Sequence, residues 1–228
     1  PEKRARTYFP DNTPIQMNVL PDGVEAIQPT ETSTGIRKVI RLTMDPAQPR
    51  VRVEHRLSNE GVWPVEMAVW CLSVMAPGGV GVVPQDLKAD EEGLLPNRVL
   101  SLWPYTDLSD PRYSWGKRLI RLRQDPSLGP TKFGLSVTDG WCAYVNGGRV
   151  FLKQFPWVKD RPYPDFGASV ELYTNELFLE LETLSPLYLV APGETIVHVE
   201  TWSLFDGFEL PPDDEGAMAA FARLLARV

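Results

Sequence analysis

Phe178-Leu179-Glu180-Leu181-Glu182-Thr183-Leu184 alternates apolar and polar residues with a period of two. That period belongs to a strand with one buried face, because successive side chains leave a pleated backbone on opposite sides. Leu179 and Leu181 then share the core face, while Glu180 and Glu182 lie together on the other, ~7 Å apart at twice the rise per residue. Val170-Glu171-Leu172-Tyr173-Thr174 repeats the pattern with Glu171 and Tyr173, and a last strand sets His198, Glu200 and Trp202 against Val197, Val199 and Thr201. Upstream, Val51, Val53, His55 and Leu57 alternate with Arg52, Glu54, Arg56 and Ser58. Ile40, Leu42 and Met44 alternate with Arg41 and Thr43, and Asp45-Pro46-Ala47-Gln48-Pro49 suits a hairpin connection between the two runs.

Further strands are expected at 65–75, 79–84, 117–124, 132–138, 141–145, 149–155, 168–174, 176–184 and 195–205. Pro77-Gly78-Gly79, Asp139-Gly140, Asn146-Gly147-Gly148 and Pro192-Gly193 punctuate them. Many short strands with frequent turns predict an antiparallel sandwich or barrel. One short C-terminal helix is expected, capped by Asp213 or Asp214, with Met218, Phe221, Leu224, Leu225 and Val228 at helical spacing. No repeat, charge block or linker divides the chain, so residues 1–228 read as a single all-β domain.

Composition removes several function classes. The 228 residues are 43% hydrophobic, enough for a core without disulfides or metal. A net charge of −7 argues against nucleic acid, whose phosphates are held by clustered Lys and Arg. No apolar run approaches the ~20 residues that cross a bilayer, so a soluble protein with no membrane partner is expected. The two cysteines, Cys71 and Cys142, and two histidines are too few for a Cys/His zinc site, and both thiols are expected to be free and buried. No phosphate loop, nucleophile elbow or His-Glu-x-x-His motif is present, and no cofactor is implied.

The polar residues are more informative. A carboxylate pair on one strand is either a solvated face or the floor of a polar cleft. Several such strands carrying aromatics favour a sugar cleft, since polyols need charged acceptors for hydroxyls and aromatic faces for the apolar side of the ring. Two proline-rich loops add candidates. Asn97 and Arg98 in Leu95-Pro96-Asn97-Arg98 precede Trp103-Pro104-Tyr105-Thr106-Asp107, whose Trp103 and Tyr105 form either a stacking lid or the cap of a sheet end. The loop from Trp157 to Asp165 is positioned to bring Tyr163 or Asp165 to a ligand, as is the neighbouring Lys153. His55 reads as a core histidine, and His198, beside Glu200, as the one more suited to titrate.

Three stretches resemble the galactose mutarotase-like superfamily, the antiparallel β-supersandwich of the aldose 1-epimerases, and the chain is most similar to an uncharacterised bacterial group within it. Asn59-Glu60-Gly61 through Pro64-Val65-Glu66-Met67-Ala68-Val69-Trp70 resembles the approach to the epimerases' first catalytic histidine. Gly167 through Glu171-Leu172-Tyr173-Thr174-Asn175 resembles their Pro-Gly-x-Gln-x-Tyr-Thr strand. Leu179-Glu180-Leu181-Glu182-Thr183, followed by Pro192-Gly193-Glu194 and His198, resembles the strand of their catalytic glutamate. The resemblance to the bacterial group extends over nearly the whole chain, including Leu-Pro-Asn-Arg and Trp-Pro-Tyr-Thr-Asp.

This resemblance implies that Glu182 is the general base and that Trp70 stands where the epimerases keep a histidine. Tryptophan stacks and donates one hydrogen bond, but it supplies no proton at neutral pH. The resemblance therefore implies a sugar or oligosaccharide ligand held by Trp70, Asn97, Arg98, Trp103, Tyr105, Lys153, Asp165, Glu171, Tyr173, Glu180 and His198 around Glu182, without demonstrated catalysis. The alternatives are an epimerase-like isomerase with another acid, more remotely a polysaccharide lyase, and an interaction module with a vestigial cleft. It also implies further N-terminal strands ahead of the segment from Pro1-Glu2 to Arg6-Thr7-Tyr8-Phe9-Pro10-Asp11-Asn12, with a fragment or second copy covering the exposed edge.

Overall fold

The computed structural model describes residues 12–87 and 94–228. The N-terminal segment from Pro1 to Asp11, on which further strands were expected to abut, lies outside the described residues. A ten-stranded antiparallel sheet forms one layer. Its order is β1 (Gln16–Leu20), β2 (Gly23–Ile27), β3 (Ile36–Met44), β4 (Arg50–Asn59), β17 (Thr195–Asp206), β13 (Arg149–Gln154), β12 (Trp141–Asn146), β7 (Val80–Pro84), β10 (Leu119–Arg123) and β9 (Tyr113–Trp115). The facing sheet has five strands: β6 (Trp70–Met75), β15 (Leu179–Leu184), β14 (Val170–Thr174), β11 (Thr131–Leu135) and β8 (Leu100–Leu102). A two-stranded ribbon pairs β5 (Val65–Met67) with β16 (Tyr188–Val190).

The expected run 65–75 is divided between the ribbon and the smaller sheet, since its strands end at Met67 and restart at Trp70. β1, β2, β8, β9 and β16 were not anticipated; they are short or weakly alternating, with three to five residues each. The helix α1 (Asp214–Leu225) forms as expected, with the Asp213 carboxylate accepting from Gly216 N and so satisfying one unpaired amide of the first turn. No helix among the described residues is long and apolar enough to cross a membrane.

Two apolar layers result from the alternation. Leu172, Leu179, Leu181 and Phe133 of the smaller sheet pack on Cys142, Tyr144, Ile120 and Leu122 of the larger one. The opposite face of the larger sheet, through Val82, Ala143, Val150 and Leu152, receives Ala217, Phe221 and Leu224 of α1. Both cysteines are free and buried.

A polar knot interrupts the inter-sheet core. Lys153, fully buried on β13, places Nζ 2.8 Å from Glu200 Oε1 and donates to Cys71 O (3.0 Å), Ser73 Oγ (3.1 Å) and Leu181 O (3.2 Å) on the smaller sheet. Thr183 also donates to Glu200, and Trp202 Nε1 donates to Glu200 Oε2 at 3.0 Å. His55, half-buried, sets Nε2 3.3 Å from the same oxygen. Burial would raise the Glu200 carboxyl, but the Lys153 ammonium and these donors hold it down at about 2.

This location corrects three sequence expectations. His198, Glu200 and Trp202 do not line a cleft; their face of β17 turns inward, where Lys153 compensates the charge, while Val197 on the other face is exposed. Lys153 is spent on this pair and reaches no surface. His198 is buried with Nε2 unpartnered, and burial pushes its imidazole down to about 4, so it stays neutral and does not titrate near pH 7.

Two outcomes are expected. Lys153→Met strands Glu200 in the core and lowers stability by ~3–5 kcal/mol in urea unfolding, whereas Lys153→Met with Glu200→Leu recovers much of it. Because the folded-state value of His198 lies below its unfolded value, the unfolded chain takes up its proton first. Stability then falls as pH drops from about 6.5 to about 4, on the order of 3 kcal/mol. His198→Asn flattens that part of the pH–stability curve.

Candidate functional site

The outer face of the smaller sheet carries the acidic alternation. Register places Glu171 directly opposite Glu182, Tyr173 opposite Glu180, and Lys132 opposite Tyr173. Leu72 lies opposite Glu182 and Val74 opposite Glu180 on the edge strand β6. Four strands thus deliver one continuous patch, flanked on β6 by the exposed side chains of Trp70, Leu72 and Val74.

At its centre Lys132 Nζ bridges two carboxylates, 2.7 Å from Glu171 Oε2 and 2.9 Å from Glu182 Oε2. Trp70 Nε1 donates to the same Glu182 oxygen at 2.6 Å. The ammonium also lies 4.7 Å from the centre of the Trp103 ring and 5.1 Å from that of Trp70, so two indole faces flank it. Glu171 and Glu182 are buried, yet Oε1 of each has no hydrogen-bond partner. Neither oxygen meets a donor, since the Asp165 carboxyl lies beside Glu171 and the Glu180 carboxyl beside Glu182, and leaving such oxygens dry is costly.

Two loops close over this face. Trp103 O accepts from Thr106 N (2.9 Å), Trp103 N donates to Thr106 Oγ1 (3.1 Å), and Thr106 Oγ1 donates to Lys132 O, which clips the aromatic turn onto β11. Trp103 is therefore partly buried over Lys132, and Tyr105 stays 45% exposed at the rim. From the other side, Ser101 Oγ donates to Asp165 O. Asp165, Phe166 and Gly167 run with φ of 47°, 64° and 109°, a conformation rare for a residue as bulky as phenylalanine. Gly134, opposite both Ser101 and Glu171, keeps space for this approach; a Cβ there would lie 2.9 Å from Ala168 Cβ.

Charge in the patch is unbalanced. Burial pushes the Glu171 carboxyl up to about 8, with Glu182 and Asp165 adding to the rise and Lys132 opposing it. Glu180 is also raised, by burial and then by Glu182. Burial alone would lower Lys132, but Glu182 and Glu171 outweigh it and keep the ammonium charged. Two buried carboxylates compete for one ammonium, so Glu171 keeps its proton at neutral pH.

The structure thus brings together Glu182, Trp70, Trp103, Tyr105, Asp165, Glu171, Tyr173 and Glu180. It separates Lys153 and His198, which lie behind the sheet. Arg98 turns away to donate to Gln85 Oε1 at 2.9 Å, and Asn97 is exposed in the same loop. Tyr163 is buried, and its hydroxyl accepts from Val158 N at 2.8 Å within its own loop. Lys132 was missed. Its signal is a lone lysine inside Thr131-Lys132-Phe133-Gly134-Leu135, where a solvated strand face would carry several polar residues.

His55, Cys71 and Glu200 bring three potential metal-ligand atoms within 4.8 Å of one another. They fit a core network better than a metal centre, because Glu200 is committed to Lys153 and burial pushes the Cys71 thiol up, away from the thiolate a metal needs.

The two-sheet frame is that of the galactose mutarotase-like fold. A putative aldose 1-epimerase from Escherichia coli K12 superposes with a TM-score of 0.53 at 10% identity, covering 84% of this chain and 68% of that one. A galactose mutarotase-like protein from Lactobacillus casei gives 0.54 at 10% identity, covering 84% and 73%. A protein from Synechocystis sp. PCC 6803 gives 0.54 at 10% identity, covering 86% and 66%. The chain therefore spans about two thirds to three quarters of the length of these structures, and the likeness at such identity is one of fold. No protein-family model and no curated protein sequence matches the chain.

Lys132→Met leaves two buried carboxylates without their cation. Stability at pH 7 is expected to drop by ~3–5 kcal/mol in urea unfolding, and Lys132→Met combined with Glu182→Gln is expected to recover part of that loss.

Proposed function

We propose that the chain binds a sugar on the outer face of the smaller sheet, in the hollow bounded by Trp70, Trp103, Tyr105 and the Asp165 turn. The observation that carries this reading is the pair of unpartnered, buried carboxylate oxygens of Glu171 and Glu182 beneath aromatic walls. Sugar hydroxyls donate to such acceptors, and the apolar face of a pyranose stacks on an indole. Leu72 and Val74 extend the apolar floor.

Binding without turnover is the first reading. The sequence resemblance puts Trp70 where the epimerases keep a histidine, tryptophan supplies no proton, and Glu182 Oε2 already accepts from both an ammonium and an indole N–H. One observation favours a second, isomerase-like reading. Glu171, directly across from Glu182, retains a proton near neutral pH. In that reading Glu182 takes the proton of the C1 hydroxyl while Glu171 protonates the ring oxygen, the C1–O5 bond breaks, and reclosure reverses both transfers.

Calorimetric titration with mono- and oligosaccharides tests binding. Trp70→Ala is expected to weaken affinity ~5–30-fold through the lost stacking face, and Glu182→Gln by at least as much. Absence of heat with every neutral, amino and acidic sugar would sink the proposal. Polarimetry of freshly dissolved α-galactose and α-glucose separates the readings: a rate equal to buffer leaves binding alone, and an acceleration abolished by Glu171→Gln supports the second.

A further inference from the structure

Resting on the sugar reading of this cleft, we infer that its preferred ligand is cationic, an amino sugar in the ammonium form, and that neutral sugars bind more weakly and uronic acids or sugar phosphates are rejected. The placement of charge is the first ground. Asp165, Glu171, Glu180 and Glu182 converge on the patch, and Lys132 is the one cation the described residues place among them. Its ammonium already serves two carboxylates. An anionic ligand would enter a field that is negative even after that pairing, at a cost that grows as water is excluded.

Unsatisfied acceptors are the second ground. Glu171 Oε1 and Glu182 Oε1 are buried and unpartnered, on residues 1% and 0% exposed. Once Glu171 has given up its proton, donors and not acceptors are what the site lacks. A hydroxyl would satisfy one such oxygen without balancing its charge, whereas an ammonium offers three donors and the missing positive charge. Aromatic placement is the third ground. Trp70 and Trp103 already hold the Lys132 ammonium against their faces at 5.1 and 4.7 Å, and Tyr105 adds a part-exposed ring at the rim. A second cation must keep clear of the Lys132 ammonium, so the part-exposed Tyr105 ring at the rim offers it the same quadrupole attraction.

Proton linkage follows. Glu171 faces Lys132 from β11, Glu180 and Glu182 from β15, Asp165 and Ser101 from the adjoining turn and β8, and Tyr105 from the aromatic turn. Lys132 alone among these is positive. A bound ammonium adds a second positive charge, favours the ionised carboxylate, and so expels the proton that Glu171 holds at pH 6.5.

Isothermal titration at pH 6.5, in two buffers of different ionisation enthalpy, with galactosamine, glucosamine, galactose, glucose and galacturonic acid tests this. Amino sugars are expected to bind roughly tenfold tighter than their neutral parents, with release of up to one proton and with affinity that weakens as salt rises. Glu171→Gln should abolish the proton release. Because Glu171 is buried, the variant's circular dichroism is compared with wild type, and the ligand series on wild type decides the matter by itself. Neutral sugars binding as tightly as amino sugars, or galacturonic acid binding at all, overturns the cation preference while the sugar cleft stands. No binding by any of the five overturns the cleft as well.

Discussion

One buried ammonium holds the two sheets in register. Lys153 rises from the larger sheet and donates to the carbonyls of Cys71 and Leu181 and to Ser73 Oγ, all on the two strands that carry Trp70 and Glu182. A charge in a core is tolerated only when it is paired and hydrogen-bonded, and here Glu200 supplies the pair from the same sheet. Thr183 then donates to Glu200 from the opposite side. Apolar packing can slide by small amounts, whereas a network of directed bonds admits one arrangement. Strand β15 is fixed from behind at Leu181 and Thr183, so Glu182 between them has a defined position on the outer face.

The cleft inverts that arrangement. Behind the sheet, one lysine meets one carboxylate with every oxygen satisfied. In front of it, one lysine meets two carboxylates, each keeping an open oxygen. The two lysines are alike in burial and differ in stoichiometry. Saturated pairs belong to architecture, while the incompletely satisfied network on a face with exposed aromatics is the observation on which the proposed sugar site rests. The left-handed run at Asp165–Gly167 and the Thr106 clip have the same character, since each spends backbone freedom to hold a polar group or ring over the patch.

Much of this was legible in the sequence. A period of two identified the long strands, and alternation within 178–184 correctly separated Leu179 and Leu181 from Glu180 and Glu182, because the core takes one face of a strand whatever its partners are. Sequence could not tell which sheet each strand joins. Glu171 and Glu182 sit on neighbouring strands, but Glu200, with the same local pattern, joins the other sheet and faces inward. Polar residues on an inward face are indistinguishable from cleft residues until Lys153 is known to lie opposite. Lys132 went unread for the converse reason: a single lysine in an otherwise buried strand acquires meaning only through two carboxylates 39 and 50 positions away. Short edge strands such as β8 are fixed by pairing rather than by propensity and left little trace.

The proposed choice between binding and turnover therefore rests on the two carboxyls not being equivalent. Glu171 and Glu182 differ in their share of stabilising donors: Glu182 receives the Trp70 N–H in addition to the shared ammonium, and Glu171 does not. That indole bond makes the pair asymmetric in its donors: Glu182 Oε2 has two and Glu171 Oε2 has one. Histidine in place of Trp70 would bring a group that exchanges protons near neutrality, and the asymmetry would shift with pH. An indole N–H is a donor that never titrates. Trp70 thus holds Glu182 Oε2 by a donor of fixed protonation, and the same side chain walls the patch with an aromatic face.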